Sequence, residues 1–181
     1  MELKPKITLK AKGDTAALQL KGKGVATSVH AKLTWTKAVD LDLHCFYRTR
    51  DGQFGHVYFA EKGKIDEPPY IMLDEDAGVG NTAGDNEENI RIDRLDHLES
   101  ALIATNIFRL FGFLSIGDNF AKYDGRVVVS TSAGDIVEVP LTSEELGKWC
   151  LIARIENSPI GPRIVNVNEV RKNEPGEADL S

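Results

Sequence analysis

Apolar and polar residues alternate in short runs along almost the whole chain, and Gly, Asp and Pro punctuate the runs. A period of two sends successive side chains to opposite faces of an extended backbone, so the pattern predicts strands with one buried face. Strands are predicted over 6–12, 16–21, 28–36, 41–48, 55–61, 70–73, 89–93, 102–111, 125–132, 135–140, 149–157 and 163–170. Two stretches suggest short helices instead: 94–101, and 142–148, where Thr142 and Glu145 stand at capping-box spacing. Neither is long enough to anchor a helical fold. Many short strands joined by turn residues predict an all-β protein, a two-sheet antiparallel β-sandwich with one or two short helices, with a barrel as the alternative.

With 181 residues and 41% hydrophobic content, the chain can bury one substantial core, and one domain over 1–170 is expected. Residues 171–181 are polar, contain Pro175 and Gly176 and lack apolar periodicity, which predicts a mobile tail. The Lys-Gly punctuation shared by 7–14 and 18–24 reads as two strands of a hairpin, not as a repeat. No secretory signal precedes the first strand, and no stretch is apolar enough to span a bilayer, so a cytoplasmic protein without direct membrane insertion is expected. Cys45 and Cys150 are far apart and outside any metal-pair spacing, which fits buried, reduced thiols. The oligomeric state stays open, because so many strands leave edges for another subunit or for loops to cover.

Charge changes the picture in one place. Residues 65–90 hold eight acids and neither Lys nor Arg; removing those eight from the net charge of −6 leaves +2 for the rest of the chain. Such a balance offers no basic footprint for nucleic acid. Within the acidic segment Gly78, Gly80, Asn81, Thr82, Gly84 and Asn86 allow sharp turns and supply carbonyl, amide and hydroxyl oxygens. Gathered carboxylates repel one another unless a cation joins them, and a set of oxygen donors on a turn-rich loop suits Ca²⁺.

A second acidic feature lies upstream. In the strand 39–47, Asp40, Asp42 and His44 share one face while Leu41, Leu43 and Cys45 share the other. The apolar face can seat this strand in the core and leave its carboxylates free to meet the loop at 74–88. The carboxylate candidates are Asp40, Asp42, Asp74, Asp76, Asp85, Glu87 and Glu88, with Gly80 and Asn81 as further oxygen donors. One Ca²⁺ takes six to eight oxygens, few of them charged, so two ions bind or some acids are bystanders. An EF-hand does not fit: counted from Asp74, the glycine position holds Val79 and position 12 holds Asp85. Zinc at His44 finds no second His or Cys at useful spacing.

These motifs resemble the TerD domain of bacterial tellurite-resistance and stress-response proteins. The strand Val39-Asp40-Leu41-Asp42-Leu43 matches the family's Asp-Leu-Asp strand, and 74–90 matches its Gly, Asp and Asn loop closing in acids and leading into a strand. Weaker matches are 9–13, Leu33-Thr34-Trp35 and Asn119-Phe120, so the likeness spans roughly 3–170. Two departures stand out: Gly84-Asp85-Asn86-Glu87-Glu88 replaces the usual Gly-Asp-Asp-Glu run, and Thr36 stands where an Asp often follows the Trp. The resemblance implies a two-sheet fold holding one or two Ca²⁺ ions between the Asp-x-Asp strand and the loop. It also implies a role in tellurite and stress resistance alongside other products of the same gene cluster, a membrane protein among them.

The function expected on these grounds is that of a non-catalytic calcium-binding stress protein. Two alternatives come from other classes. One is an interaction module that uses the loop without metal, since Arg91 and Arg94 flank the acids and can pair with them. The other is a carboxylate-pair hydrolase, for which Trp35 and Trp149 would have to line a cleft instead of packing in the core. No G-x-S-x-G elbow accompanies His30, His44, His56 and His97, which read as surface or satisfied strand residues.

Overall fold

The computed structural model describes residues 4–74, 82–108 and 118–181. Its strands are β1 (Ile7–Thr8), β2 (Thr15–Ala17), β3 (Val29–Trp35), β4 (Asp40–Thr49), β5 (Phe54–Val57), β6 (Gly63–Lys64), β7 (Ile71–Leu73) and β8 (Asn86–Ile92). They continue with β9 (Leu98–Phe108), β10 (Asp118–Asn119), β11 (Arg126–Thr131), β12 (Ile136–Pro140), β13 (Leu146–Gly147), β14 (Trp149–Ser158) and β15 (Gly161–Arg171). Every strand predicted from the alternation overlaps one of these. The predicted all-β sandwich is the observed architecture: a first sheet ordered β1-β12-β11-β3-β8-β7-β6 faces a second ordered β2-β15-β14-β9-β4-β5. Pairing is antiparallel throughout except for β1 beside β12.

Period-two burial explains the stacking. Ala31 and Leu33 on β3, Ile90 and Ile92 on β8 and Val127 and Val129 on β11 point inward from the first sheet. Leu41 and Leu43 on β4, Ile103 on β9 and Ile155 on β14 meet them from the second, and all belong to one buried cluster. A bulge between Leu151 and Ala153 shifts the register of β14. Plain alternation puts Cys150 and Ile152 in the inter-sheet core and Trp149 and Leu151 on the second sheet's outer face, and the bulge lets Ala153 join the core directly after Ile152.

The helical expectations fare differently. The stretch 94–101 supplies a 3-10 turn at Leu95–His97 and then becomes the start of β9. Residues 142–148 form no helix. Leu146–Gly147 pairs with Asp118–Asn119 instead, and the Lys148 amide donates to the Arg171 carbonyl at 3.0 Å. A helix of seven residues gains too little from one cap to outweigh these ladder bonds. A Cβ on Gly147 would lie 2.7 Å from the Arg171 oxygen, so this close approach also needs glycine.

The segment after β15, expected as a mobile tail, lies docked on the outer face of the second sheet. A 3-10 turn at Glu177–Leu180 brings Leu180 into a cluster with Phe46, Leu102, Ala104, Trp149 and Leu151. Leu180 is 3% exposed, a burial that stabilises the docked form by about 1.5–3 kcal/mol. Among the described residues no helix is long and apolar enough to cross a membrane.

Candidate metal site at the edge of the acidic strand

Strand β8 starts at Asn86, three residues before the predicted 89, so the end of the acidic run is strand and not loop. Alternation then separates neighbours. Asn86 and Glu88 face inward with Ile90 and Ile92, whereas Glu87 faces outward with Asn89 and Arg91.

Strand β4 is paired by β9 along its length, but β5 covers it only from Cys45 to Arg48. The peptide group joining Asp42 to Leu43 lies beyond the end of β5. Its carbonyl accepts the Thr105 hydroxyl of β9 at 2.8 Å, and its N–H, which among the described residues has no strand partner on the other side, donates to Glu88 Oε2 at 2.5 Å. A buried amide without an acceptor would be costly, and the carboxylate reaching over from the first sheet satisfies it. Glu88 is itself only 8% exposed. The end of the acidic segment and the Asp-x-Asp strand therefore meet at one peptide plane.

Asp40 and Asp42 are half-buried on the outer face of the second sheet, Asp42 opposite Asn106 of β9 and Asp40 opposite Phe108. Asn86 ties the approach to β8 together, its amide donating to the carbonyls of Thr82 at 3.0 Å and Gly84 at 3.4 Å. The Gly84 amide donates to the Thr36 carbonyl at 3.0 Å, which fastens the loop end to the end of β3. Trp35 closes the neighbouring β3–β4 connection by donating its indole N–H to the Val39 carbonyl at 2.9 Å.

Other predicted donors lie elsewhere. Asp74 pairs with Arg91 at 2.9 Å and Glu87 with Lys32 at 3.7 Å, both on the outer face of the first sheet. Asp85 is exposed beside Glu87, Asp124 and Arg126. Asp76, Gly80 and Asn81 lie outside the described residues. Among the described residues no group of three His, Cys, Asp or Glu stands close enough to hold a metal ion. The oxygen donors at the Asp42–Leu43 edge suit a hard cation in kind, and their number within the described residues falls short of a complete shell.

A histidine pair also sits at this strand. His44 Nδ1 lies 2.9 Å from His56 Nε2, so one ring donates and the other accepts, and His44 Nε2 faces Asn106 Oδ1 at 3.3 Å. Phe46, Tyr58 and Trp149 pack around the pair. Burial in this aromatic setting, and for His44 the neighbouring His56, lowers both side chains from the ordinary 6.5 to about 4. Glu174 sits 3.5 Å from His56 Nδ1, but its largely exposed carboxylate offsets little of that burial. Twelve residues separate the two histidines, so no local spacing announces their contact; only the β4–β5 register does.

No family model matches the chain, and no curated protein matches it. Among solved structures the fold resembles that of a homologue of the telluride resistance protein TerD from Streptomyces coelicolor A3(2), with a TM-score of 0.58 and 13% identity, covering 83% of this chain and 93% of that one. A second solved structure, a protein of unknown function, gives a TM-score of 0.56 and 15% identity, covering 82% of this chain and 93% of the other. The likeness establishes a TerD-type fold, as the sequence motifs had implied.

Proposed function

We propose that this chain is a non-catalytic, calcium-binding stress-response protein of the tellurite-resistance type, acting in the cytoplasm. The observation that carries the reading is the shared peptide plane at which Glu88 meets the strand of Asp40 and Asp42. Asp40, Asp42 and Glu88 are the proposed strand donors, and Asp76, Gly80 and Asn81 the donors from the loop. A bound Ca²⁺ supplies charge neutralisation: it offsets repulsion among the carboxylates and adds stability that grows with the logarithm of its free concentration. The TerD-type fold supports the same reading, and with it partners among other proteins of a tellurite-resistance cluster, including one in the membrane. Metal analysis of protein purified without chelator tests it: calcium near one or two equivalents supports the reading, and metal-free protein that gains no thermal stability in millimolar Ca²⁺ removes it.

A second reading has its own observation. Arg91 and Lys32 already neutralise Asp74 and Glu87, which favours a polar interaction surface that needs no metal on the outer face of the first sheet. Partner capture that is indifferent to chelator distinguishes it from the first.

A further inference from the structure

The two sheets differ in what covers them. The first presents His30, Lys32 and Thr34, with Asn89 and Arg91 beside them, and this polar face needs no cover. The second sheet carries Phe46, Leu102, Ala104, Trp149 and Leu151 on its outer side, an apolar strip that would otherwise lie against water. Residues 173–181 of the same chain occupy it.

The mode of occupation is specific. Pro175 and Leu180 are buried, while Lys172, Asn173 and Glu174, which lead the chain across, are exposed. Around the apolar strip stand three arginines, and each meets the acidic segment. Arg48 reaches the Glu177 carboxylate at 3.4 Å and its carbonyl at 3.2 Å. Arg154 reaches the Asp179 carbonyl at 3.4 Å, and Arg171 pairs with the Asp179 carboxylate at 2.5 Å. That carboxylate also accepts the Gly176 amide at 2.7 Å, which sets the turn. The groove is thus apolar at its centre and basic at its rim, and its present occupant is a short acidic segment with one proline and one leucine as anchors.

We propose that the outer face of the second sheet is a docking groove for acidic peptide segments of the form Pro-x-Glu-x-Asp-Leu in partner proteins, and that residues 173–181 hold it in cis. The occupant rests on two apolar anchors and on ion pairs that are partly open to solvent, so it is displaceable.

A fluorescein-labelled peptide of residues 173–181, added to the full-length protein, tests the proposal by fluorescence anisotropy. The full-length Leu180→Asp variant, whose own segment cannot seat, is expected to bind the peptide at least about tenfold more tightly than the wild type. The double variant Glu177→Ala/Asp179→Ala keeps Leu180, is the milder way to loosen the segment, and is expected to show the same direction of change. Arg48→Glu/Arg154→Glu, combined with either, is expected to abolish binding. A peptide of otherwise unrelated sequence that keeps Pro, Glu, Asp and Leu at the same spacing is expected to compete. Failure of both loosened variants to bind the peptide overturns the groove. Competition by the native sequence alone, or equally by a basic leucine peptide, overturns the stated partner chemistry.

Discussion

Glu88 of the first sheet accepts the backbone N–H of Leu43 in the second, 2.5 Å away, just where β5 stops covering β4. A carboxylate that the sequence offers as a metal donor thus also closes a gap in a strand ladder. Replacing it with Ala leaves the Leu43 amide buried and unpaired, and is expected to cost about 1–3 kcal/mol in urea unfolding measured in chelator. Glu88→Gln keeps an acceptor and is expected to cost less. Equal, negligible costs for both would show that water reaches this amide.

The two faces of β8 give a sharper expectation for the metal. Asp42→Asn or Glu88→Gln is expected to weaken calcium binding by about tenfold or more, whereas Asp74→Asn and Glu87→Gln, whose carboxylates pair with Arg91 and Lys32, leave it within about twofold. Isothermal titration of the four variants checks the division. A large loss in Asp74→Asn would place the donors on the wrong side of the first sheet.

Stability is expected to fall as pH drops from 6.5 toward 4. Well above 6.5 neither state protonates His44 or His56; as the pH falls through 6.5 toward about 4 the unfolded chain takes up protons that the folded pair refuses, so unfolding gains. Asp135, held low by the Gln19 amide, Lys4 and Thr131 against the effect of its burial, adds loss in the same direction once the pH falls toward the carboxylate range. Proton NMR of the imidazole resonances checks the cause: the signals of His44 and His56 should begin to titrate only below about pH 5. Midpoints near 6.5 would contradict the burial.

Both thiols are fully buried, and burial pushes Cys45 up to about 12 and Cys150 higher still. Native protein is expected to leave a thiol reagent unreacted at pH 8 and to release two equivalents on unfolding. Rapid native labelling would show that the core opens.

Most of the fold was legible because period-two burial is written directly in the residues: Leu41, Leu43 and Cys45 against Asp40, Asp42 and His44 reads as a strand with one apolar face. The early start of β8 was missed: Ile92, Ile90, Glu88 and Asn86 do form one alternating row, but the acids and the turn residues before them resemble a loop. Residues 142–148 show the opposite case, where a local capping signal yields to pairing with β10, which no local pattern announces. In the last eleven residues Pro175 and Leu180 are too few to show a period, and the burial of Leu180 follows from the apolar strip that Phe46, Leu102, Ala104, Trp149 and Leu151 build from three separate strands. For the candidate site, the end of the acidic run does meet the Asp-x-Asp strand, at Glu88 and the Leu43 amide, but the residues alone do not sort the carboxylates by face. That sorting depends on register, and register is a tertiary property.

The most direct measurement is calorimetric titration of Ca²⁺ into the chelator-treated protein and into the Asp40→Asn/Asp42→Asn variant, with a thermal melt of each at both extremes of the titration. The expected result is saturable heat at one or two equivalents and a raised melting temperature for the wild type, both largely lost in the variant. Heat and stabilisation that survive in the variant, or that are missing from both proteins, would contradict a calcium site built on the strand that Glu88 meets.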